Sequence, residues 1–201
     1  MGLLKKLLLF PRWIKNNLYL FLYKHSFKQV GQRSRIINPL QIDGKENISV
    51  GNDVIVNEGA WLAAMPLTGR EVHLVLSDRV CLGHHNHIYA TESIVIEKDV
   101  LTADRVYISD NIHGYEDITT PIIKQPIKQC KKVVIGEGSW LGENVCVIGS
   151  KIGKHCVIGA NAVVTRDIPD YSVAVGAPAK VIKYYSKLHE KWERVEPKEN
   201  Q

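Results

Sequence analysis

Between Val133 and Thr165 large aliphatic residues recur at every sixth position: Ile135, Leu141 and Val147, then, after a one-residue slip, Ile152, Ile158 and Val164. Gly136, Gly142, Gly153 and Gly159 directly follow four of them. Ser139, Val145, Cys156 and Ala162, all small or modest in size, stand four places after an aliphatic. Neither the 3.6-residue period of a helix nor the two-residue period of a strand produces this spacing. A period of six gives one flat face per repeat, and three faces close a triangular coil, the signature of a parallel β-helix. In such a coil the large aliphatic fills the interior, the glycine allows a tight corner, and the small residue fits where the walls converge.

The same period, looser, runs upstream from Arg35. Ile42, Ile48, Val50, Val56 and Leu62 are candidate interior residues, with Val54 and Ala60 at the small position. Met65 to Glu71 reads as a loop because of Pro66 and Gly69. The period resumes at Leu76, Leu82 and Ile88, then shifts phase to Ile96, Thr102 and Ile108. Val80, Val100, Val106 and Ile112 occupy the small position, where Asn86 is a polar exception. A buried amide needs partners, so Asn86 is either satisfied internally by backbone or turned towards a substrate. Between Ile112 and Lys132 the period vanishes, and Pro121 and Pro126 mark residues 113–132 as a protruding loop. Long irregular insertions in compact solenoids commonly carry function.

The two ends differ from the coil. Residues 1–34 hold the short apolar runs GLLKKLLLF and NLYLFLY, broken by Pro11, Arg12 and Lys15. No run is long enough to span a bilayer, no small-residue cleavage site follows, and Lys6 stands where a myristoylation signal needs Ser or Thr. One or two short amphipathic helices are expected, suited to an anionic membrane surface through residues 1–30 or to covering the open end of the coil. After Pro169, Gly176 and Pro178 close the repeat, Ile182, Tyr185, Leu188 and Trp192 recur at helical spacing. That spacing predicts a C-terminal helix within residues 181–201, frayed over 196–201. The expected architecture is therefore mainly β: an arm (1–34), a β-helix (35–180), and a helix with tail (181–201).

Charge sharpens this division. The net charge is +5, yet residues 1–35 contain eight basic residues and no acidic one. Setting those eight aside leaves 18 basic against 21 acidic, a mildly acidic body, which argues against nucleic acid as a partner. Cys81, Cys130, Cys146 and Cys156 lack paired metal spacing and read as reduced thiols of a cytoplasmic protein. His84, His85 and His87 form a cluster, but neighbours on a flat wall point to opposite sides, so no metal site is expected there. His85 and Asn86 are candidate substrate contacts, lying shortly before His113 in a stacked array.

The run IGEGSWLGENVCVIG followed by IGKHCVIGANAVVTRDIPDYSVAVGAPAKVIK resembles the left-handed β-helix acetyltransferases of the hexapeptide-repeat family. The likeness covers roughly residues 35–183 and is nearest to the sugar O-acetyltransferases acting on galactosides and maltose. The segment VLTADRVYISDNIHGY looks like the branch that acetylates surface polysaccharides or their precursors. The resemblance implies a homotrimer with three active sites between neighbouring prisms, acetyl-CoA as co-substrate, a saccharide acceptor and no metal. It implies His113 as catalytic base. It also implies acetyl-CoA contacts at Ala160, at the Trp140–Gly142 corner, at Thr165 and Arg166, and at Lys180 and Lys183, with Gly176, Pro178 and Ala179 shaping the adenine end. Asp110, Glu116 and Asp117 are candidates to orient the His113 ring, and Asp110 is also a candidate substrate contact. N-acetylation of an amino sugar is the same chemistry with a better nucleophile. A zinc hydratase on this fold needs three convergent histidines, and a non-catalytic scaffold is permitted by the fold alone.

Overall fold

The computed structural model describes residues 12–195, with side chains from Leu18 onward. The chain winds into a left-handed β-helix whose three walls are parallel sheets. The first wall stacks Gln29–Val30, Ile48–Val50, His73–Leu76, Ser93–Ile96, Val133–Ile135 and Lys151–Ile152. The second stacks Arg35–Ile36, Ile55–Val56, Cys81–Leu82, Leu101–Thr102, Trp140–Leu141, Val157–Ile158 and Ser172–Val175. The third stacks Gln41–Asp43, Trp61–Ala64, His87–Ala90, Tyr107–Ser109, Cys146–Ile148 and Val163–Val164. The coil thus begins at Gln29, earlier than Arg35.

In-register stacking puts the six-residue period directly into columns. Ile42, Leu62, Ile88, Ile108, Val147 and Val164 form one interior column, each with its neighbour one coil away. All but Ile42, which is 8% exposed at the open end, are completely buried. The small-position residues Val54, Ala60, Val80, Val145 and Ala162 are fully buried too, where two walls meet. Corners place residues in the left-handed region, including Arg33, Asp53, Arg79 and Asp99. Two of these corner pairs bridge successive coils through forked ion pairs, Arg33 with Asp53 and Arg79 with Asp99. At Gly136 backbone passes over backbone: a Cβ there would lie 2.5 Å from the carbonyl carbon of Gly153.

Asn86 is completely buried and faces the interior, which corrects its assignment as a substrate contact. Its Nδ2 donates to the Ala103 carbonyl at 3.1 Å, and its Oδ1 accepts from Thr102 Oγ1 at 3.1 Å. Thr102 is itself the polar member of an aliphatic column, and its hydroxyl accepts from Gly83 N. The two polar interruptions of the repeat are therefore each other's partners, one coil apart.

The C-terminal helix is not formed. Lys180–Ser186 and Lys191–Arg194 are antiparallel strands added to the second wall, beginning on Ser172–Val175. The last parallel strand exposes an unpaired edge, and a following segment that pairs with it satisfies those backbone groups. Val181, Ile182, Tyr184 and Tyr185 are β-formers, so the edge decides against the helical spacing. Residues 196–201 lie outside the described residues.

At the other end the helix Arg12–Tyr23 covers the first coil. Leu20 and Phe27 are 7% exposed and join the interior cluster, with Tyr19 packed against it. Covering the open coil is what the described part of the arm does; residues 1–11 lie outside the described residues. Among the described residues no helix is long and apolar enough to cross a membrane.

Candidate active site

The coil leaves the third wall at Asp110, so Ile112 is not an interior residue but part of an excursion. Asn111–His113 pairs antiparallel with Ile127–Gln129, making a hairpin that carries His113 at its exposed edge, opposite Ile127. The root of this hairpin is densely bonded. The Asp110 carbonyl accepts from Cys130 N at 2.8 Å and from Gln129 Nε2 at 2.7 Å. Asn111 Nδ2 donates to the Tyr89 carbonyl at 3.1 Å. Gln129 Oε1 lies 2.9 Å from Thr91 Oγ1 and 3.0 Å from Thr68 Oγ1, tying in the Met65–Glu71 loop.

Asp110 neither orients the His113 ring nor reaches an acceptor, which corrects both readings. It is completely buried and points back into the corner at residues 91–93. Oδ1 accepts from Thr91 N at 2.8 Å, and Oδ2 from Glu92 N at 2.8 Å and Ser93 N at 2.7 Å. Thr91 Oγ1 and Asn111 Nδ2 add contacts to Oδ1 at 3.0 and 3.2 Å. Its chemistry is anchorage: a carboxylate saturated by backbone N–H groups fixes the point from which the hairpin springs. Glu116 and Asp117 are also otherwise engaged. Glu116 pairs with Lys128, which with nearby backbone N–H groups holds its carboxyl down to about 2. Asp117 binds the hydroxyls of Thr119 and Thr120 and the Thr119 N–H, and is likewise held at about 2.

The remaining candidates divide between two edges of the prism. His113, Thr165 and Arg166, all exposed, follow strands of the third wall on the edge leading to the first. His85, Gly142 and Ala160 lie on the opposite edge, between the second and third walls, with Trp140 beside them on the outer face of the second wall, 45% exposed. Lys180 and Lys183 sit on the appended strand at the far end of that wall. The width of the third wall separates the two sets, so one chain does not bring His113 to Trp140, Gly142 and Ala160. Gly142 keeps its edge low, since a Cβ there would lie 2.8 Å from Ala160 N.

The three clustered histidines do not converge. His84 Nδ1 lies 3.2 Å from Asp104 Oδ1. His85 covers Gly59, where φ is +78° and a Cβ would lie 2.1 Å from His85 Nδ1. His87 stacks on Trp61 at 4.2 Å between ring centroids, with Tyr107 at 5.2 Å and Tyr89 at 6.1 Å. Trp61 Nε1 donates to Asp43 Oδ2 at 3.0 Å. This aromatic column stands outside the third wall, between the two edges, and was missed from the sequence. Its signal was present: Trp61, His87 and Tyr107 each directly precede an interior aliphatic, so in-register coils must stack them. Burial lowers the His87 pKa, and His87 Nε2 is buried without a hydrogen-bond partner among the described residues.

Comparison with known proteins places this geometry. Residues 132–166 match the family model described as the hexapeptide repeat of succinyl-transferase. The chain is 38% identical over 168 residues to the putative lipopolysaccharide biosynthesis O-acetyl transferase WbbJ of Escherichia coli, covering 80% of this chain and 84% of that one. It is 40% identical over 165 residues to a probable acetyltransferase of Mycobacterium tuberculosis, covering 75% of this chain and 54% of that longer one. In fold it is similar to an N-acyltransferase from Bacillus cereus, solved with dTDP and 3-hydroxybutyryl-CoA, at a TM-score of 0.72 and 19% identity, covering 87% of this chain and 92% of that one. With the coil, the repeat and a relative matched across most of both lengths, the chain belongs to the hexapeptide-repeat acetyltransferases.

Proposed function

We propose that this acetyltransferase moves an acetyl group from acetyl-CoA to a hydroxyl of a saccharide, a surface polysaccharide or its precursor, with His113 as general base. The observation that carries the reading is the placement of His113: an exposed imidazole held at the edge of a braced hairpin. The name of the Escherichia coli relative supports the acceptor class. Imidazole near neutrality takes the hydroxyl proton as the oxygen attacks the thioester carbonyl carbon. Backbone N–H groups at the coil corners are suited to the resulting oxyanion. The carbon–sulfur bond then breaks, and the leaving thiolate takes the proton back from the imidazolium.

The separation of the two edges supports a homotrimer, in which the His113 edge of one copy meets the Trp140–Gly142–Ala160 edge of the next. The exposed Lys180 and Arg166 and the half-buried Lys183 fit the donor set that the phosphates of acetyl-CoA require, as point or forked cations. In that arrangement the half-buried column of Trp61, His87 and Tyr107 is turned towards the partner copies. The reading includes a cytoplasmic protein touching the inner face of the membrane through residues 1–30, near lipid-linked glycan intermediates.

The test is His113→Ala in a thioester-consumption assay with surface-glycan acceptors. A rate loss of about 10² to 10⁴ at unchanged thermal stability is expected for removal of a general base; an unchanged rate sinks the assignment. Mass spectrometry of cell-surface glycans with and without the protein identifies the acceptor by the mass increment of one acetyl group.

A further inference from the structure

A groove of about 590 Å³ runs between the helix Arg12–Tyr23 and the edge where the second wall turns into the third. Leu18 and Leu22, one helical turn apart, give it an apolar side. Asn38 of the first coil, Asn57 and Glu58 of the second and His84 of the third give it a polar side. Bonds along the edge fix those four side chains. Asn38 Nδ2 donates to Glu58 Oε1 at 2.7 Å, Asn57 Nδ2 donates to the Leu82 carbonyl at 2.8 Å, and His84 Nδ1 lies 3.2 Å from Asp104 Oδ1. Among the described residues Asn38 Oδ1, Asn57 Oδ1, Glu58 Oε2 and His84 Nε2 take no partner and remain open to a ligand. The edge itself continues beyond the groove. Asn57 N donates to the Leu82 carbonyl, Gly83 N to that of Thr102, Ala103 N to that of Leu141 and Gly142 N to that of Ile158, which carries the corner in register to Gly142 and Ala160. His84 stands two coils before Gly142. At about 4.8 Å per strand that is roughly 10 Å along the edge.

We propose, on the saccharide reading above, that this groove holds the non-reacting units of the acceptor, so that the substrate is an oligosaccharide of uncharged units rather than a single sugar. A sugar unit has an apolar C–H face and a rim of hydroxyls. The face packs on Leu18 and Leu22, and the hydroxyls donate to the open oxygens of Asn38, Asn57 and Glu58. The volume falls within the range of about 300–1,000 Å³ that suits small-molecule sites, and a groove three coils long exceeds one sugar ring. None of the lining residues is lysine or arginine and Glu58 is anionic, so a phosphate or carboxylate would meet no counter-charge. A hydrocarbon chain is the poorer occupant, because it would strip water from Glu58 and from two amides without replacing their hydrogen bonds. Position decides what the rest of the ligand does. On the edge assigned above to acetyl-CoA, an acceptor whose hydroxyl reaches the thioester near Gly142 has its remaining units directed back towards His84 and the groove. Binding that is equal in the ground and transition states lowers the acceptor KM and leaves kcat alone.

The experiment is thioester consumption by the full chain with mono- to tetrasaccharide fragments of the surface glycan. The kcat/KM should rise at least about tenfold from the monosaccharide to the trisaccharide, through a fall in acceptor KM at steady kcat, and then level off. Leu22→Ala/Glu58→Gln should bring the trisaccharide to within about twofold of the monosaccharide, while the KM for acetyl-CoA holds. Glu58→Gln alone, at an exposed position, repeats the comparison if the double variant does not fold. Turnover of all lengths with equal kcat/KM, or a length preference that both variants keep, overturns the proposal. So does a decyl monosaccharide that outdoes the trisaccharide and loses its advantage in the variants, which assigns the groove to a hydrocarbon chain. No turnover of any fragment sinks the saccharide reading and this proposal with it, an outcome distinct from turnover without length preference, which sinks the groove alone.

Discussion

Replacing Asp110 by Asn separates anchorage from substrate contact. The substitution keeps shape and volume but exchanges one acceptor oxygen for a donor. In its better orientation the amide oxygen still serves Glu92 N and Ser93 N, which bonded Oδ2 at 2.8 and 2.7 Å. The new NH₂ group then faces Thr91 N, which bonded Oδ1 at 2.8 Å and is left without an acceptor inside the coil. One buried orphan donor costs about 1–3 kcal/mol, and each surviving bond loses its charge assistance, about 1 kcal/mol apiece. The sum is about 3–5 kcal/mol. For a chain of this length each kcal/mol shifts Tm by about 2–4 °C, so the variant should melt at least about 6 °C lower. The assay is thermal unfolding of both proteins under one buffer, alongside kcat and KM. Loosening the hairpin root should lower kcat while the KM for acetyl-CoA holds. A Tm change below about 2 °C combined with a raised acceptor KM would refute this account and return Asp110 to the substrate.

Asn86→Ala removes the partner of Thr102 Oγ1 and of the Ala103 carbonyl inside the coil. A loss of about 1–3 kcal/mol with unchanged acceptor KM is expected, measured by denaturant unfolding and steady-state kinetics; the opposite pattern restores a substrate role. Burial lowers the His87 pKa below its ordinary 6.5. The unfolded chain then binds a proton before the folded chain does, so this group's contribution to stability falls as pH drops through about 6.5. Asp43, Tyr89 and Tyr107 are the other titratable groups around the stack, and burial raises the Tyr89 pKa, away from this range. His87→Phe should therefore lose less Tm than wild type between pH 7.5 and 5.5, and an identical loss excludes His87 as a source. Lys180→Ala/Lys183→Ala should raise the KM for acetyl-CoA with little change in kcat, as expected for uniform binding to phosphate, and a pure kcat defect argues against that role.

Much of the architecture was legible because the repeat is local and its consequence geometric. A residue every six places must stack on itself one coil away, so Ile88, Ile108 and Val147 declare an interior column before any coordinates exist. The same rule held the aromatic column of Trp61, His87 and Tyr107. The site was legible only in part. His113 stands where the period breaks, which the sequence shows. Which way Asp110 points does not follow from period, because it occupies the departure point, where the chain stops obeying the repeat.

The amino-acid sequence by itself determined the coil, its interior, the basic arm and the insertion carrying His113, since each depends on spacing or charge along the chain. Tertiary structure decided four things that depend on what a segment meets. Tyr185 and Trp192 became strand residues because an unpaired sheet edge outbid a helical spacing. Asn86 found Thr102 across a coil. The helix Arg12–Tyr23 put Leu20 inward, set Leu18 and Leu22 over a groove beside Ile37, Pro39 and Asn57, and left Phe21 exposed. And the third wall came to lie between His113 and the Trp140–Gly142–Ala160 edge, because a closed triangle places successive corners a full wall apart.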